Sequence, residues 1–267
     1  MPVDNSSPAR LVLAAGSVLD ATVEQLVDIA ATAGFAGVGL RPGAELLEDH
    51  RRLTALRRRA EDSGVWIHDL EVIRIGPETE ASLAGRLIEA ACVLDAHAVL
   101  VVSDLIDPAA TVDQLARIAQ DCRSAGVVAG LEYMAWTMPA SPIQAAEFAE
   151  RTGAVVVVDV LHHHRVGAGI AEMRSVVSSG RLGWVQVCDA AYEAPPDLLH
   201  EARHDRLLPG QGELALADLL SQVPAETIIS VEVQSDRLAA EMDAPARARM
   251  LHRAASELMQ NLLSRPR

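Results

Sequence analysis

Gly153-Ala154-Val155-Val156-Val157-Val158-Asp159-Val160-Leu161-His162 is the stretch on which the reading of this chain turns. Four consecutive valines do not alternate between core and water, so they describe a strand buried on both faces, as in parallel sheets. Asp159 then interrupts the apolar run at its far end. An ionised carboxylate in such surroundings is costly unless it is paired or ligates a metal.

Outward from this segment one pattern repeats: an apolar run, an Ala/Leu-rich amphipathic segment, a glycine, and another apolar run. The runs are Arg10–Ala15, Ala36–Arg41, Val65–Ile73, Ala98–Ser103, Val127–Tyr133, Ala154–Val160, Gly183–Cys188 and Thr227–Val233. Eight of them exceed the six or so strands of a doubly wound sheet. With 267 residues, they predict an α/β fold, a single (β/α)₈ barrel of the usual ~250-residue size.

The intervening helices carry their own punctuation. Thr22–Ala33 places Val23, Leu26, Val27, Ile29 and Ala30 on one stripe and ends at Gly34. Thr111–Ser124 stops before Gly126, and Ser141-Pro142 opens a helix that reaches Arg151 and closes at Gly153. Pro245–Leu263 reads as the last helix. Residues 1–8 read as a polar tail and 9–267 as one barrel, since no linker divides them. Gly37-x-Gly39 with Gly43 is not a dinucleotide fingerprint: it falls inside a strand, and Pro42 stands where a helix should open.

Composition excludes several function classes. Half the chain is apolar, so it is not a disordered segment. No apolar stretch reaches the ~20 residues of a membrane span, and Met1–Pro8 has neither the basic nor the apolar region of a signal peptide. Cys92, Cys122 and Cys188 are odd in number and form no CxxC, which points to a reducing, cytoplasmic setting. Cys92 and Cys122 read as small buried hydrophobes. The net charge of −14 speaks against nucleic acid as a partner. All 23 basic residues are arginine, so Schiff-base and lysine-base chemistries are excluded.

Residues at the C-terminal ends of barrel strands face the active site. Four such ends carry oxygen ligands: Glu132 on strand five, Asp159 on strand six, Gln186 on strand seven and Glu232 on strand eight. One buried acid paired with arginine would be ordinary; four equivalent strand ends, three of them acidic, predict one divalent metal. Asp159-x-x-His162 brings His162 back over the same mouth, as a hydrogen-bond partner of a substrate oxygen or a proton relay. Asp69 and Glu71 near the end of strand three read equally as hydroxyl binders or as partners of Arg74 or Arg41. Arg41 is also a candidate for a substrate carboxylate. Trp66, Tyr133 and Trp136 are placed near strand C-ends, for ring stacking or for packing under the loops. His163 and His164 read as solvent-facing or loop-packing residues.

In order and spacing, Glu132, Asp159-x-x-His162, Gln186 and Glu232 resemble the xylose isomerase-like TIM-barrel superfamily of sugar isomerases, ketose 3-epimerases, inosose dehydratases and 3-dehydroshikimate dehydratases. Arg203-His204-Asp205-Arg206-Leu207-Leu208-Pro209-Gly210-Gln211-Gly212-Glu213 is similar to the loop after strand seven in that family. The resemblance implies that Glu132, Asp159, Gln186 and Glu232 ligate the metal, that Glu132 and Glu232 double as the acid–base pair, and that His162 and Arg206 hold substrate oxygens. Glu71 and Trp136 complete the candidate substrate contacts. The epimerases usually place His where this chain has Gln186; Val185-Gln186-Val187-Cys188-Asp189-Ala190 is closer to the dehydroshikimate dehydratases.

The expected function is metal-dependent isomerisation or epimerisation of a small sugar or polyhydroxy carbonyl compound through an enediolate. The alternative is dehydration of a cyclic keto compound such as 3-dehydroshikimate or an inosose, and a non-catalytic sugar binder is a third. An abasic-site endonuclease fails on charge and on too few histidines. An all-oxygen ligand set predicts Mg²⁺ or Mn²⁺. The expected partners are a small polyol or keto substrate and possible copies of the chain itself, with no nucleic acid and no membrane.

Overall fold

In the computed structural model, which describes residues 11–76 and 81–264, eight strands close into a barrel. They are β1 (Leu11–Leu13), β2 (Gly37–Leu40), β3 (Trp66–Ile75), β4 (Ala98–Ser103), β5 (Val128–Glu132), β6 (Val155–Asp159), β7 (Leu182–Val187) and β8 (Ile228–Val231). Each pairs in parallel with the next and β8 returns to β1, with helices on the outside. This is the expected (β/α)₈ barrel. The tail over residues 1–8, and Arg10 with it, lie outside the described residues.

Local sequence sets the helix ends. Thr22 caps the helix Val23–Ala33 through a reciprocal box with Gln25, and Gly34 ends it at φ 93°. Ser141 caps Pro142–Thr152, and Gly153 ends it at φ 80°. The helix after β4 spans Pro108–Ser124, one turn longer than expected. Asp107 accepts from the Ala109 N–H and Pro108 supplies the preset φ of a first helical turn. The last helix runs Ala244–Leu263.

The apolar residues form two bodies. The larger lies between strands and helices, with Leu13, Val38, Leu131, Val156 and Val185 facing Leu26, Leu53, Leu115 and Leu251. The smaller fills the barrel itself: Ala98, Leu100, Val157 and Trp184. Large rings there need small neighbours. A Cβ on Gly130 would stand 2.1 Å from the Trp184 ring, and one on Gly37 would stand 2.7 Å from the Trp66 ring. We expect Gly130→Ala to destabilise the fold by about 1–3 kcal/mol through overpacking, read as a lower denaturation midpoint. An unchanged midpoint would mean that the indole has room to move.

Three expectations are corrected. Trp66 opens β3 rather than lying near its C-terminal end, so it packs in the barrel floor beside His68 and cannot stack on a substrate at the mouth. Cys92 is exposed, whereas Cys122 is buried. Strand three continues to Ile75, past the expected Ile73. Among the described residues no helix is long and apolar enough to cross a membrane.

Candidate metal centre and cavity

Strand order decides which side chains meet. β5, β6, β7 and β8 are consecutive neighbours, and Asp159 is in register with Gln186. Glu132 and Asp159 are the last residues of β5 and β6, Gln186 is the penultimate residue of β7, and Glu232 follows β8 directly. All four are buried. A helix, Val160–Arg165, starts immediately after β6 with Asp159 as its cap. Asp159 Oδ1 accepts from the N–H groups of Leu161 and His162 at 2.8 and 3.1 Å. This turn returns His162 over the same mouth. One ligand-capable atom each of Glu132, Asp159 and His162 lie within 4.8 Å of one another.

Gln186 Nε2 donates to Glu232 Oε2 at 2.8 Å, and Gln234 Nε2 donates to Glu232 Oε1 at 3.1 Å. Arg206 Nη1 donates to Asp159 Oδ2 at 2.6 Å and lies 3.6 Å from Glu232 Oε2. Its Nε donates to the Ala202 carbonyl, which holds the guanidinium in place. Glu132 lies 3.8 Å from His162 Nε2 and feels the more distant charge of Arg206. The Gln186 amide oxygen and His162 Nδ1 are buried without any hydrogen-bond partner. Buried polar atoms are rarely left so.

These residues fit a divalent cation. Glu132, Asp159 and Glu232 offer carboxylate oxygens, and Gln186 has its Nε2 engaged and its oxygen unpartnered, the half of the amide a cation needs. The electrostatics agree. Burial pushes Glu132 well above the ordinary carboxylate range, with the charges of Glu232 and Asp159 adding to it. Burial raises Glu232 to about 7, opposed by Arg206 and reinforced by Glu71 and Asp159. Burial also acts to raise Asp159, but Arg206 and His162 outweigh it and hold the group low. His162 is pushed down to about 4 by burial and stays neutral.

Without a cation, Glu232 thus carries a proton in the folded state that the unfolded chain has lost. That contribution to stability is whole below about pH 4.5, its ordinary value, and is lost as pH rises through about 7. Buried His68 and His162, lowered to about 3 and about 4, act in the opposite sense up to about pH 6.5. Comparing chelated wild type with chelated Glu232→Gln cancels the histidines. We expect the variant's melting temperature to gain on wild type between roughly pH 4.5 and pH 7 and to level off above that. A constant difference in differential scanning calorimetry would show that Glu232 is already ionised.

A cavity of about 410 Å³ opens above this cluster. Glu132, His162, Arg206 and Glu232 line it, together with Trp136, whose ring meets His162 edge-on at 5.2 Å. Glu71 is not on this wall: it receives the Arg41 guanidinium at 2.5 Å, and Arg41 is the residue that faces the cavity. Arg74 pairs with Asp104 instead of with Asp69 or Glu71. Asp69 is buried, with Oδ1 unpartnered. Tyr133 points away from the mouth, its hydroxyl 2.6 Å from His163 Nδ1, while His163 Nε2 contacts the Gly169 carbonyl. His163 therefore packs the loop, as expected, and Tyr133 is a core residue. Arg203, Leu199 and Gln234 on the wall went unnoticed in the sequence. Gln234 lies beyond β8 and donates to Glu232 Oε1.

A parallel barrel with oxygen-bearing side chains at four consecutive strand ends beneath one cavity defines a class: barrels with a small-molecule site at the C-terminal mouth. The chain belongs to the xylose isomerase-like TIM barrel family, whose pattern matches residues 27–256. It is 28% identical over 252 residues to a 3-dehydroshikimate dehydratase of Pseudomonas aeruginosa, covering 86% of this chain and 38% of that protein. The chain thus spans about two fifths of the length of that relative. In structure it is similar to the IolI protein crystallised with a zinc atom (TM-score 0.82, 17% identity, 96% of this chain and 100% of that one). It is also similar to D-psicose 3-epimerase from Clostridium cellulolyticum (TM-score 0.75, 12% identity, 95% and 99%). At these identities the two structures speak to fold alone.

Proposed function

We propose that this protein is a divalent-cation-dependent enzyme that removes a proton beside the carbonyl of a small hydroxylated compound. The observations that carry the reading are the cluster of Glu132, Asp159 and His162, the Gln186–Glu232 hydrogen bond at the neighbouring strand ends, and the Gln186 oxygen left unpartnered. A cation held there would offset the negative charge that builds on the carbonyl oxygen as the proton leaves. Glu132 and Glu232 stand on β5 and β8, on either side of Asp159 and Gln186, so one takes a proton and the other can return one. Neutral His162 donates a hydrogen bond to a substrate oxygen, and a protonated Glu232 can give its proton to a departing hydroxyl. Arg206 keeps Asp159 ionised and oriented.

After proton removal, loss of a β-hydroxyl makes the enzyme a dehydratase; reprotonation makes it an isomerase or epimerase. The cavity wall favours dehydration of a cyclic compound. Leu19, Val72, Leu100, Val102, Met134 and Trp136 make up much of it. An open-chain ketose bears a hydroxyl on nearly every carbon, and each one buried without a partner costs about 1–3 kcal/mol. Gln186 and the dehydratase relative support the same choice. Isomerisation or epimerisation is the second reading, supported by the flanking Glu132 and Glu232.

Incubation with Mn²⁺ or Mg²⁺ and a panel of ketoses, inososes and cyclic keto-acids in D₂O, followed by NMR, tests both. A dehydratase forms a conjugated, ultraviolet-absorbing product, whereas an isomerase washes deuterium into recovered substrate without loss of water. Full turnover in a demonstrably metal-free preparation would end the proposal.

A further inference from the structure

Two pairs of neighbouring residues stand back to back at the barrel mouth. Successive side chains of a strand point to opposite faces. Glu132, the last residue of β5, lines the cavity, while Tyr133 directly after it lies behind, fully buried. The helix Val160–Arg165 makes the same division: His162 lines the cavity and buried His163 is turned away from it. In front, Glu132 and His162 Nε2 are 3.8 Å apart, too far for a hydrogen bond. Behind, the Tyr133 hydroxyl lies 2.6 Å from His163 Nδ1, and His163 Nε2 lies 2.9 Å from the Gly169 carbonyl.

The chemistry of these atoms fixes the direction of both bonds. Burial pushes His163 below its ordinary value and keeps the imidazole neutral. A carbonyl only accepts, so the single ring proton sits on Nε2. Nδ1 is then bare, and the Tyr133 hydroxyl donates to it. This run of two bonds joins the end of β5, the helix capped by Asp159 and the turn before the helix Ile170–Ser178. Glu132 needs such an anchor. The charges of Glu232 and Asp159 repel its carboxylate, and among the described residues that carboxylate receives no hydrogen bond.

We propose that Tyr133 and His163 are positioning residues: a hydrogen-bonded brace behind the site that sets Glu132 opposite His162 and thereby sets the affinity for the divalent cation. The inference rests on the proposed function and adds two residues to it. Hydrogen bonds outside a ligand set orient the ligands before the ion arrives, and losing one commonly costs about 10–100-fold in metal affinity. Here the bond acts through the backbone, since each partner is the chain neighbour of a residue at the cavity.

The test uses Mn²⁺ as the probe on the full chain, with free ion read by electron paramagnetic resonance and the melting temperature of each cation-free protein measured beside it. Tyr133→Phe keeps the ring and removes only the hydroxyl; we expect it to bind Mn²⁺ about tenfold more weakly. His163→Gln can place an amide N–H where Nε2 stands but offers no acceptor at Nδ1, and should weaken binding as much. His163→Asn places an amide oxygen at the Nδ1 position, so it keeps the bond from Tyr133 and should bind like wild type although it gives up Gly169. The double variant Tyr133→Phe/His163→Gln should be no worse than either single one, because the same bond is lost in all three. A packing role alone would lower the melting temperature and leave Mn²⁺ affinity unmoved. Wild-type affinity in Tyr133→Phe, equal affinities in His163→Asn and His163→Gln, or additive losses in the double variant each overturn the brace and leave the proposed function standing. A wild type that binds no Mn²⁺ overturns both.

Discussion

Glu132→Gln and Glu232→Gln are each expected to lower turnover by about 10²–10⁴-fold while the barrel stays folded, the usual range for a general acid or base. Both carboxylates are buried, and burial raises both above the ordinary carboxylate range, Glu232 to about 7. A group poised there can accept and release a proton at little cost. The amide keeps shape and hydrogen bonding but cannot carry the proton, and it also weakens a ligand position. Glu232→Gln further turns one of the two oxygens that accept from Gln186 and Gln234 into an amide nitrogen, so its cation affinity should fall more than that of the Glu132 variant. Titrating Mn²⁺ into each variant separates the two contributions. Near-normal turnover with cation bound would remove that residue from the acid–base pair.

Removing the cation should abolish turnover and lower the melting temperature by about 10 °C from the cation-saturated state. A ligand present at a thousand times its dissociation constant adds about 4 kcal/mol to the folded state, and each kcal/mol moves the midpoint of a chain this size by about 2–4 °C. The physical source is the repulsion among Glu132, Asp159 and Glu232, which Arg206, the more distant Arg41 and protonation relieve only in part when no cation is bound. Identity of the ion follows from Gln186. Three carboxylates and an amide oxygen suit Mg²⁺ or Mn²⁺, while Gln186→His introduces an imidazole and should move preference toward Zn²⁺ or Co²⁺. Melting curves of both proteins against a series of divalent ions measure this. The same preference before and after the change would place Gln186 outside the ligand set.

The barrel and the four strand ends were legible because both rest on local pattern. Val155–Val158 suits a strand buried on both faces, eight such runs exceed the usual doubly wound sheet and suit a closed barrel, and a carboxylate that ends an apolar run declares its position without any partner being known. The Asp159-x-x-His162 spacing was legible for the same reason, since a helix that starts at once after a strand returns its third residue to the mouth. Reading failed where direction or pairing decided. Trp66 was assigned to the wrong end of β3 although the expected strand, Val65–Ile73, already opens beside it, and Cys92 was taken as buried from composition alone.

Contacts between residues far apart in sequence belong to the tertiary structure. Arg206 reaches Asp159 across 47 positions and Gln186 reaches Glu232 across 46; no local spacing encodes either. Of Arg41 and Arg74, the sequence offered both as partners for Glu71, and barrel geometry chose Arg41. Tyr133 reads as one more ring at a strand end until the fold sets its hydroxyl 2.6 Å from His163, 30 positions away. Residue type and period determine which chemical groups the mouth contains, because strand ends are set locally. Which charges cancel there is settled by distance, and distance between strands exists only once the barrel has closed.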